Sequence, residues 1–220
     1  MKRFSTIWSG PERHELCGAS RPMILRRSFY NRPVLDVARE LLGAVVSANG
    51  VAVRISEVEA YDGANDAASH AFRGETPRNS VMFGPAGHAY VYFTYGMHFC
   101  MNLVCGPAGV AAAVLLRAGE VVDGIETAGA RRSGSRFRDL ARGPARLCVA
   151  LAIDRSFDGV DVTCPTSPIT ISAGSPVAPS AVAVGPRVGI SAAADWPYRF
   201  WIEGDTTVSP YRPHTPRKGR

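Results

Sequence analysis

Two carboxylates at the end of a hydrophobic stretch are the residues best suited to chemistry. Glu57 and Glu59 follow the run VAVRIS and come just before a segment rich in turn-forming residues. Glu59 stands where the strand enters that segment, and a carboxylate partly withdrawn from water there could hold and deprotonate a water molecule. His70 could add a neutral imidazole as a hydrogen-bond donor or acceptor. The alternative interpretation is that both glutamates are solvated where a strand ends, and that His70 is a structural histidine.

Aromatic residues form a second group with functional potential. Tyr90 and Tyr92 share one face of a predicted strand, a pattern typical of core tyrosines that also satisfy a hydroxyl group. Tyr95 differs from them, because it stands beside Gly96 at a predicted bend. An exposed ring on a basic protein is suited to insertion into a stack of nucleic-acid bases.

Several other chemistries lack their residue patterns. The sequence contains no HExxH pair, no zinc-deaminase signature, no P-loop and no dinucleotide-binding glycine pattern. Its five cysteines form no CxxC pair and have no histidines at zinc-ligand spacing. We therefore expect reduced thiols, no metal and no cofactor.

The charge balance favours a polyanionic partner. The chain has 25 basic and 19 acidic residues, a net charge of +6. Basic residues cluster in 1–33, 131–146 and 212–220, and because the two terminal clusters could be solvated tails, 131–146 is the better candidate for phosphate contacts. Lys2 and Lys218 are the only lysines. Chemistry that uses a buried lysine to form a Schiff base is therefore excluded.

Length and composition indicate one folded domain. With 220 residues, 46% of them hydrophobic and 20% charged, the chain can bury a core, which excludes disordered and collagen-like proteins. No apolar run is long enough to span a membrane, and the first residues lack the apolar centre of a signal peptide. We expect a soluble, intracellular protein, cytoplasmic and associated with the chromosome, with no membrane partner.

Local patterns predict the elements that must position these residues. Apolar residues at helical spacing predict a helix over 33–42. The Asn49-Gly50 pair predicts a hairpin between two strands. A period of two then places six residues of the second strand on one face. They are Val51, Val53, Ile55, Glu57, Glu59 and Tyr61.

The remaining patterns complete a mixed α/β (α+β) fold. An irregular segment over 62–88 is followed by a hairpin or bend at Tyr95-Gly96. Further elements are a strand over 110–118, a short helix over 143–153, and strands near 168–173, 183–190 and 198–203. Because turns join most consecutive strands, we predict a single domain with a largely antiparallel curved sheet, a protruding β-hairpin and a few flanking helices. Its expected bounds are 31–204, between a basic, poorly ordered arm (1–30) and a basic tail (205–220).

Five runs of sequence, in their order and spacing, closely resemble the alkyladenine (3-methyladenine) DNA glycosylase family of base-excision repair. They are EVEAYDGANDAASHA, TPRN, MFGPAGHAYVYFTYGMHFCMN, VLLRA and GPARLCVALAI. The likeness spans roughly residues 30–203, and its two longest runs are highly specific. It implies a hydrolase that flips alkylated or deaminated purines out of double-stranded DNA. A glutamate-activated water then cleaves the N-glycosidic bond and leaves an abasic site. We expect the enzyme to be a monomer. We also expect it to be monofunctional, because no internal lysine is present to attack the sugar.

The resemblance also implies which residues carry out the reaction. Glu59 matches the general base that activates the attacking water. Arg117 resembles the arginine that holds this water or a neighbouring phosphate. Tyr95 resembles the tyrosine that fills the gap left by the extruded nucleotide.

Further residues match the pocket for the flipped base and the surface for DNA. Tyr61, His70 and Tyr92 resemble the side chains that sandwich the base, and Asn102 resembles the asparagine that clashes with the amino group of normal guanine. Contacts to the DNA backbone fall on Thr76, Arg78, Arg142 and Arg146. The stretch SHAFRGETPRN is about one residue shorter than in animal relatives, which leaves the substrate range open.

Two other functional classes are compatible with the sequence. The protein could bind damaged or bent DNA without catalysis, in which case it would hold modified duplex and release no free base. Alternatively, the fold could serve as an RNA-binding module, by a fold-level analogy with the C-terminal domain of methionyl-tRNA formyltransferase. Preference for tRNA over lesion duplex would distinguish this alternative.

Overall fold

We describe residues 23–94 and 96–215 from a computed structural model. These residues form four α-helices and nine β-strands, together with several short 3-10 turns. The helices are α1 (Arg27–Tyr30), α2 (Val34–Glu40), α3 (Ile125–Arg131) and α4 (Pro144–Leu151). The strands are β1 (Val45–Ala48), β2 (Val51–Asp62), β3 (Ala89–Thr94), β4 (His98–Cys105), β5 (Ala112–Asp123), β6 (Ala141–Arg142), β7 (Ile169–Ser172), β8 (Val182–Gly185) and β9 (Arg199–Ile202).

All nine strands of the described residues belong to one antiparallel sheet. Six of them follow the order β3-β4-β5-β2-β1-β7, while β6 pairs with β5, and β9 pairs with both β2 and β8. The long central strands β2 and β5 form the most extensive pairing. The predicted fold class, a mixed α/β single domain with a largely antiparallel sheet, is confirmed.

The local signals at the start of the domain correspond to real elements. The predicted helix over 33–42 is confirmed as α2, and Gly43 ends it with φ +81°, a conformation that favours glycine. The predicted hairpin is confirmed between β1 and β2, since Asn49 and Gly50 have φ of 50° and 74°. Two successive positive φ angles give the turn a twist that matches the flanking strands.

The prediction that six alternate residues of β2 share one face is wrong. Between Ile55 and Glu57 the pairing with β5 shifts register, so that Ser56 is an extra residue and forms a β-bulge. Beyond this bulge, Val58 and Ala60 join Ile55 in the hydrophobic core. The two glutamates and the tyrosine of the strand therefore lie on the opposite face.

Hydrophobic residues pack on both faces of the sheet. The larger cluster lies between one face and the four helices, and includes Tyr30, Val37 and Leu147. The smaller cluster lies on the other face, where Met82 of the irregular segment packs among residues that include Tyr90. This second face carries the candidate site.

Two strands differ in length from their predictions. The strand predicted over 110–118 continues to Asp123, which gives β2 a long partner. The strand predicted over 183–190 ends at Gly185, and the following loop leaves the sheet. Within the described part of the chain, no helix combines the length and the apolar character that crossing a membrane requires.

Candidate active site

A cavity of about 320 Å³ opens on the face of the sheet that carries the glutamates. Its volume falls within the range of pockets that bind small molecules. It brings together all the residues to which the sequence assigns catalytic or base-pocket roles. They are Glu59, Tyr61, His70, Tyr92, Asn102 and Arg117.

Cross-strand pairing places the floor of this cavity. Asn102 of β4 lies opposite Leu115 of β5, and Leu115 lies opposite Glu59 of β2. Directly paired residues of an antiparallel sheet point to the same face, about 5 Å apart. Glu59 and Asn102 thus flank Leu115 in one row, and the Asn102 amide is held by a 3.1 Å hydrogen bond from Nδ2 to the Tyr90 carbonyl.

Glu59 is completely buried, accepts two hydrogen bonds and forms an ion pair. The Tyr61 hydroxyl donates to Oε2 over 2.9 Å, and the Val188 backbone N–H donates to Oε1 over 2.7 Å. The Arg117 guanidinium lies 3.2 Å from Oε2. Because Glu59 also lines the cavity, these contacts fix a carboxyl group at its wall.

A second β-bulge aims Arg117 at this carboxylate. Glu57 pairs with Ala118 and Val58 pairs with Leu116, which leaves Arg117 as the extra residue of β5. Its Nε donates to Glu57 over 2.8 Å, while Nη1 faces Glu59. Burial alone would lower the pKa of Arg117, but the charges of Glu59 and Glu57 raise it above its ordinary value. The guanidinium therefore remains charged.

Aromatic rings form one wall of the cavity. Tyr90 and Tyr92 are stacked, with ring centroids 5.5 Å apart, and the His70 ring meets Tyr92 edge-on at 4.6 Å. His70 Nδ1 lies 3.1 Å from the Tyr90 hydroxyl. Burial raises the pKa of Tyr90 to about 12 and also raises the pKa of Tyr92, so both hydroxyls are neutral.

The loop that carries His70 is held by Asn79, which sequence reasoning did not identify as part of the site. Asn79 Nδ2 donates to the carbonyls of His70 and Gly74, and its Oδ1 accepts from the N–H and hydroxyl of Thr76. The TPRN run was the available signal. Partial burial lowers the pKa of His70, and the charge of Arg78 lowers it further, so the imidazole is neutral at neutral pH.

Arg187 supports Tyr61 from behind and was also missed. Its guanidinium lies 4.6 Å from the Tyr61 ring centroid and forms hydrogen bonds to both oxygens of the buried Asp66 and to the Ala60 carbonyl. Burial and the nearby Glu59 charge raise the pKa of Tyr61, which keeps its hydroxyl protonated. Arg187 belongs to the loop after β8, which carries no recognisable motif.

The residues assigned to the DNA backbone lie outside the cavity. Thr76, Arg78 and Arg146 are exposed. Arg142 is half-buried, and its Nε donates to the Val208 carbonyl over 2.8 Å. Arg146 lies close to Arg132, since burial and the charge of Arg146 lower the pKa of Arg132. Two neighbouring cations favour an anion at this surface.

Tyr95, the residue assigned to intercalation, lies outside the described residues. Its chain neighbours Thr94 and Gly96 are at the turn between β3 and β4. Met97, at the same turn, is 68% exposed. The predicted role of Tyr95 therefore stays a prediction.

Cysteines and metal ligands do not form a second site in the part of the chain that is described. Cys100, Cys105 and Cys148 are buried free thiols, and Cys164 is an exposed one. Among residues 23–94 and 96–215, no group of three or more His, Cys, Asp or Glu side chains is arranged to hold a metal ion.

Comparison with known proteins covers most of the chain. The family model described as "Methylpurine-DNA glycosylase (MPG)" matches residues 28–206. A relative from Streptomyces avermitilis, named as a candidate 3-methyladenine DNA glycosylase, is 57% identical over 203 residues, which cover 89% of this chain and 95% of the relative. Relatives with the same name from Frankia casuarinae and Burkholderia lata are 52% and 48% identical, and cover 87% and 84% of this chain and 94% and 91% of their own lengths.

Proposed function

The chain belongs to the methylpurine-DNA glycosylase family, hydrolases that act on N-glycosyl bonds in DNA, and we propose that it removes alkylated or deaminated purines from duplex DNA and leaves an abasic site. One observation carries this proposal. A fully buried carboxylate, Glu59, lies at the floor of an aromatic cavity and is oriented by a tyrosine, an arginine and a backbone N–H.

Glu59 is suited to hold and deprotonate the attacking water. The water oxygen bonds to the sugar C1′ while the bond from C1′ to the purine nitrogen breaks. The electron pair of that C1′–N bond leaves with the base. Glu59 accepts the proton of the water. Its negative charge also stabilises the positive charge that develops on the sugar. Arg117 keeps the carboxylate in place beside the reacting atoms.

The walls of the cavity are suited to select the base. Tyr61, His70 and Tyr92 present ring faces and edges to a flat purine. Asn102, fixed at the floor, would meet the exocyclic amino group of guanine and exclude it. Extruding a base costs a few kcal/mol, and least for a damaged or mispaired base, so selection begins before the bond breaks. Tyr95 would fill the gap in the duplex.

Exposed cations around the cavity supply the electrostatic attraction to DNA. Among the four residues proposed to contact the DNA backbone, Arg146 is supported best, because it is exposed and lies near a second arginine. Arg78 and Thr76 belong to the segment that carries His70. Arg142 lies just before α4, the helix that carries Arg146, and is held by its hydrogen bond to the Val208 carbonyl. We propose that the protein acts as a monomer on damaged double-stranded DNA.

The absence of lysine from the described residues supports a monofunctional reaction. The two lysines of the sequence are Lys2 and Lys218, both in its terminal segments. Glycosylases that also nick the strand generally use an amine nucleophile, which forms a Schiff base with the sugar. We therefore propose that the abasic strand stays intact.

The test is release of free base from defined duplexes. The protein is incubated with duplexes that carry one methyladenine, methylguanine, hypoxanthine or ethenoadenine, with the undamaged duplex as control. The expected result is a free damaged purine and an intact abasic strand, with no covalent adduct after borohydride treatment. Retention of the lesion duplex without base release would indicate a binder, and preference for tRNA would indicate an RNA-binding module. A borohydride-trapped adduct would contradict the monofunctional reaction.

A further inference from the structure

A second glutamate lies directly behind the cavity. Glu57 is completely buried, and it is absent from the residues that line the cavity. It accepts four hydrogen bonds, from Arg117 Nε at 2.8 Å, from Arg199 Nε at 2.7 Å, and from the N–H and hydroxyl of Ser209 at 2.7 and 3.0 Å. A carboxylate with this many donors is firmly fixed.

The same guanidinium joins this carboxylate to the one in the cavity. Arg117 faces Glu57 through Nε and Glu59 through Nη1. Burial would raise the pKa of Glu57, but the charges of Arg117 and Arg199 and the hydrogen bonds from Ser209 lower it below its ordinary value. Glu57 is therefore ionised at neutral pH. Its negative charge offsets part of the electrostatic effect of Arg117 on Glu59.

The C-terminal segment seals this network from water. Ser209 Oγ lies 3.3 Å from Arg117 Nη2, and the Ser209 carbonyl accepts from Arg199 Nη2 over 2.9 Å. The hydroxyl of Thr207 forms a 2.8 Å hydrogen bond with the hydroxyl of Ser56, the bulge residue of β2. Because Thr207 and Ser209 are themselves buried, the ion pairs beneath them are poorly screened by solvent.

We propose that Glu57 is a positioning residue, which fixes Arg117 between two carboxylates and, by sharing its charge, keeps Glu59 basic enough to accept a proton from water. This inference rests on the proposed function of Glu59. Without Glu57, Arg117 would pair with Glu59 alone, would hold it more strongly in the ionised form, and would make it a weaker base.

The other groups around Glu59 do not replace Glu57 in this role. Tyr61 and Val188 donate to Glu59 but carry no charge, while Arg187 adds a second positive charge nearby. Tyr92 and Cys100 line the cavity as neutral groups, because burial raises the pKa of each. Glu57 is thus the anion that offsets Arg117.

The first test is the pH dependence of base excision by the Glu57→Gln variant under single-turnover conditions. We expect the acid limb of the rate profile to move down by about one pH unit and the plateau rate to fall about 10- to 100-fold, with lesion-duplex affinity unchanged. Glu40→Gln is the matched control, because it makes the same chemical change in an exposed pair with Arg32 at 2.8 Å and does not contact Arg117. Its profile should match that of the parent protein.

A second variant and a second measurement keep the proposal testable if Glu57→Gln does not fold. Arg199→Gln retains Glu57 but removes one of its two cations, so Glu57 draws more on Arg117 and the acid limb should move up. The titration midpoint of the Glu59 carboxyl carbon is followed by NMR in the free protein. It should move down in Glu57→Gln and up in Arg199→Gln, as the acid limbs do. Parent protein that releases no base would refute the proposed function, and the NMR midpoints would still decide the role of Glu57. Midpoints and acid limbs that do not move, or that move in the reverse directions, would overturn the proposal.

Discussion

The backbone N–H of Val188 donates a 2.7 Å hydrogen bond to Oε1 of Glu59, although 129 residues separate them in the chain. The loop after β8 therefore completes the site, and its position depends on Arg187, the preceding residue. Arg187 is itself buried, and is held by Asp66 and stacked on Tyr61.

Replacing Arg187 by methionine should strongly destabilise the protein. The change leaves Asp66 buried without its cation, which typically costs about 3–5 kcal/mol in the free energy of unfolding. Urea denaturation measures this loss. The double variant Asp66→Asn, Arg187→Met removes the stranded charge and should regain part of the stability. Equal stability of the single variant and the parent would contradict this account of the ion pair.

Glu59→Gln should abolish most turnover while lesion binding persists. The amide has the same shape but cannot accept the proton of the water, so single-turnover excision should fall about 10²- to 10⁴-fold. Affinity for a lesion duplex, measured by fluorescence anisotropy, should stay within about threefold. Binding of the lesion does not require the proton transfer that the substitution removes. Glu120→Gln makes the same chemical change in a half-exposed pair with Arg54 and should excise normally. Unchanged excision by Glu59→Gln would remove Glu59 from its proposed role.

Arg78→Ala should make His70 easier to protonate. Burial and the positive charge of Arg78 both lower the pKa of His70, so its imidazole gains a proton only below the usual value of about 6.5. Without Arg78, the midpoint followed by NMR of the His70 ring should rise, while burial still keeps it below that value. Arg73→Ala, in the same segment, serves as the control and should leave the midpoint in place. The cause assigned to Arg78 is incorrect if the two variants behave alike.

Arg146→Ala should weaken DNA binding through loss of one phosphate contact. The slope of log affinity against log salt concentration should become shallower by about 0.9, because one fewer counterion is released. Affinity for lesion and undamaged duplexes should fall by similar factors. Arg26→Ala is the control. Arg26 precedes α1 and lies near β7, whereas β3, which leads into the turn at Tyr95, is at the opposite edge of the sheet. A slope identical to that of the parent would exclude a phosphate contact for Arg146.

The parts of the fold that follow from local signals were predictable. Helix α2 combines an apolar stripe with a proline at its start and Gly43 at its end. The hairpin between β1 and β2 depends on Asn49-Gly50, which favours one turn geometry over all others. In both cases a few neighbouring residues decide the structure.

The face of β2 could not be predicted, because it depends on a distant partner. Ser56 and Arg117 become bulge residues only when β2 pairs with β5, and alternation within one strand contains no trace of that register. The strand predicted over 183–190 ends at Gly185, where Pro186 has no backbone N–H for strand pairing, and Arg187 beyond it pairs with the buried Asp66.

For the candidate site, the family resemblance selected side chains that the fold brings into one cavity, from Glu59 to Arg117. It did not reveal the groups that support them. Val188 contributes only its backbone N–H, which any residue except proline could supply, so its type carries no signal. Asn79 acts through the backbone of His70 and needs the folded structure to be recognised. Glu57 was singled out from the sequence, but its contacts with Arg117 and Arg199 were not.

Because of its extra residue, β2 contributes to the hydrophobic core on one face and to the cavity on the other. Ile55, Val58 and Ala60 face the hydrophobic core, and the single insertion at Ser56 places Glu57 and Glu59 on the opposite face, where Glu59 lines the cavity. If Ser56 instead took a regular place in the strand, alternation would return Glu57 and Glu59 to the face of Ile55, driving anions into hydrocarbon and turning Val58 toward the cavity.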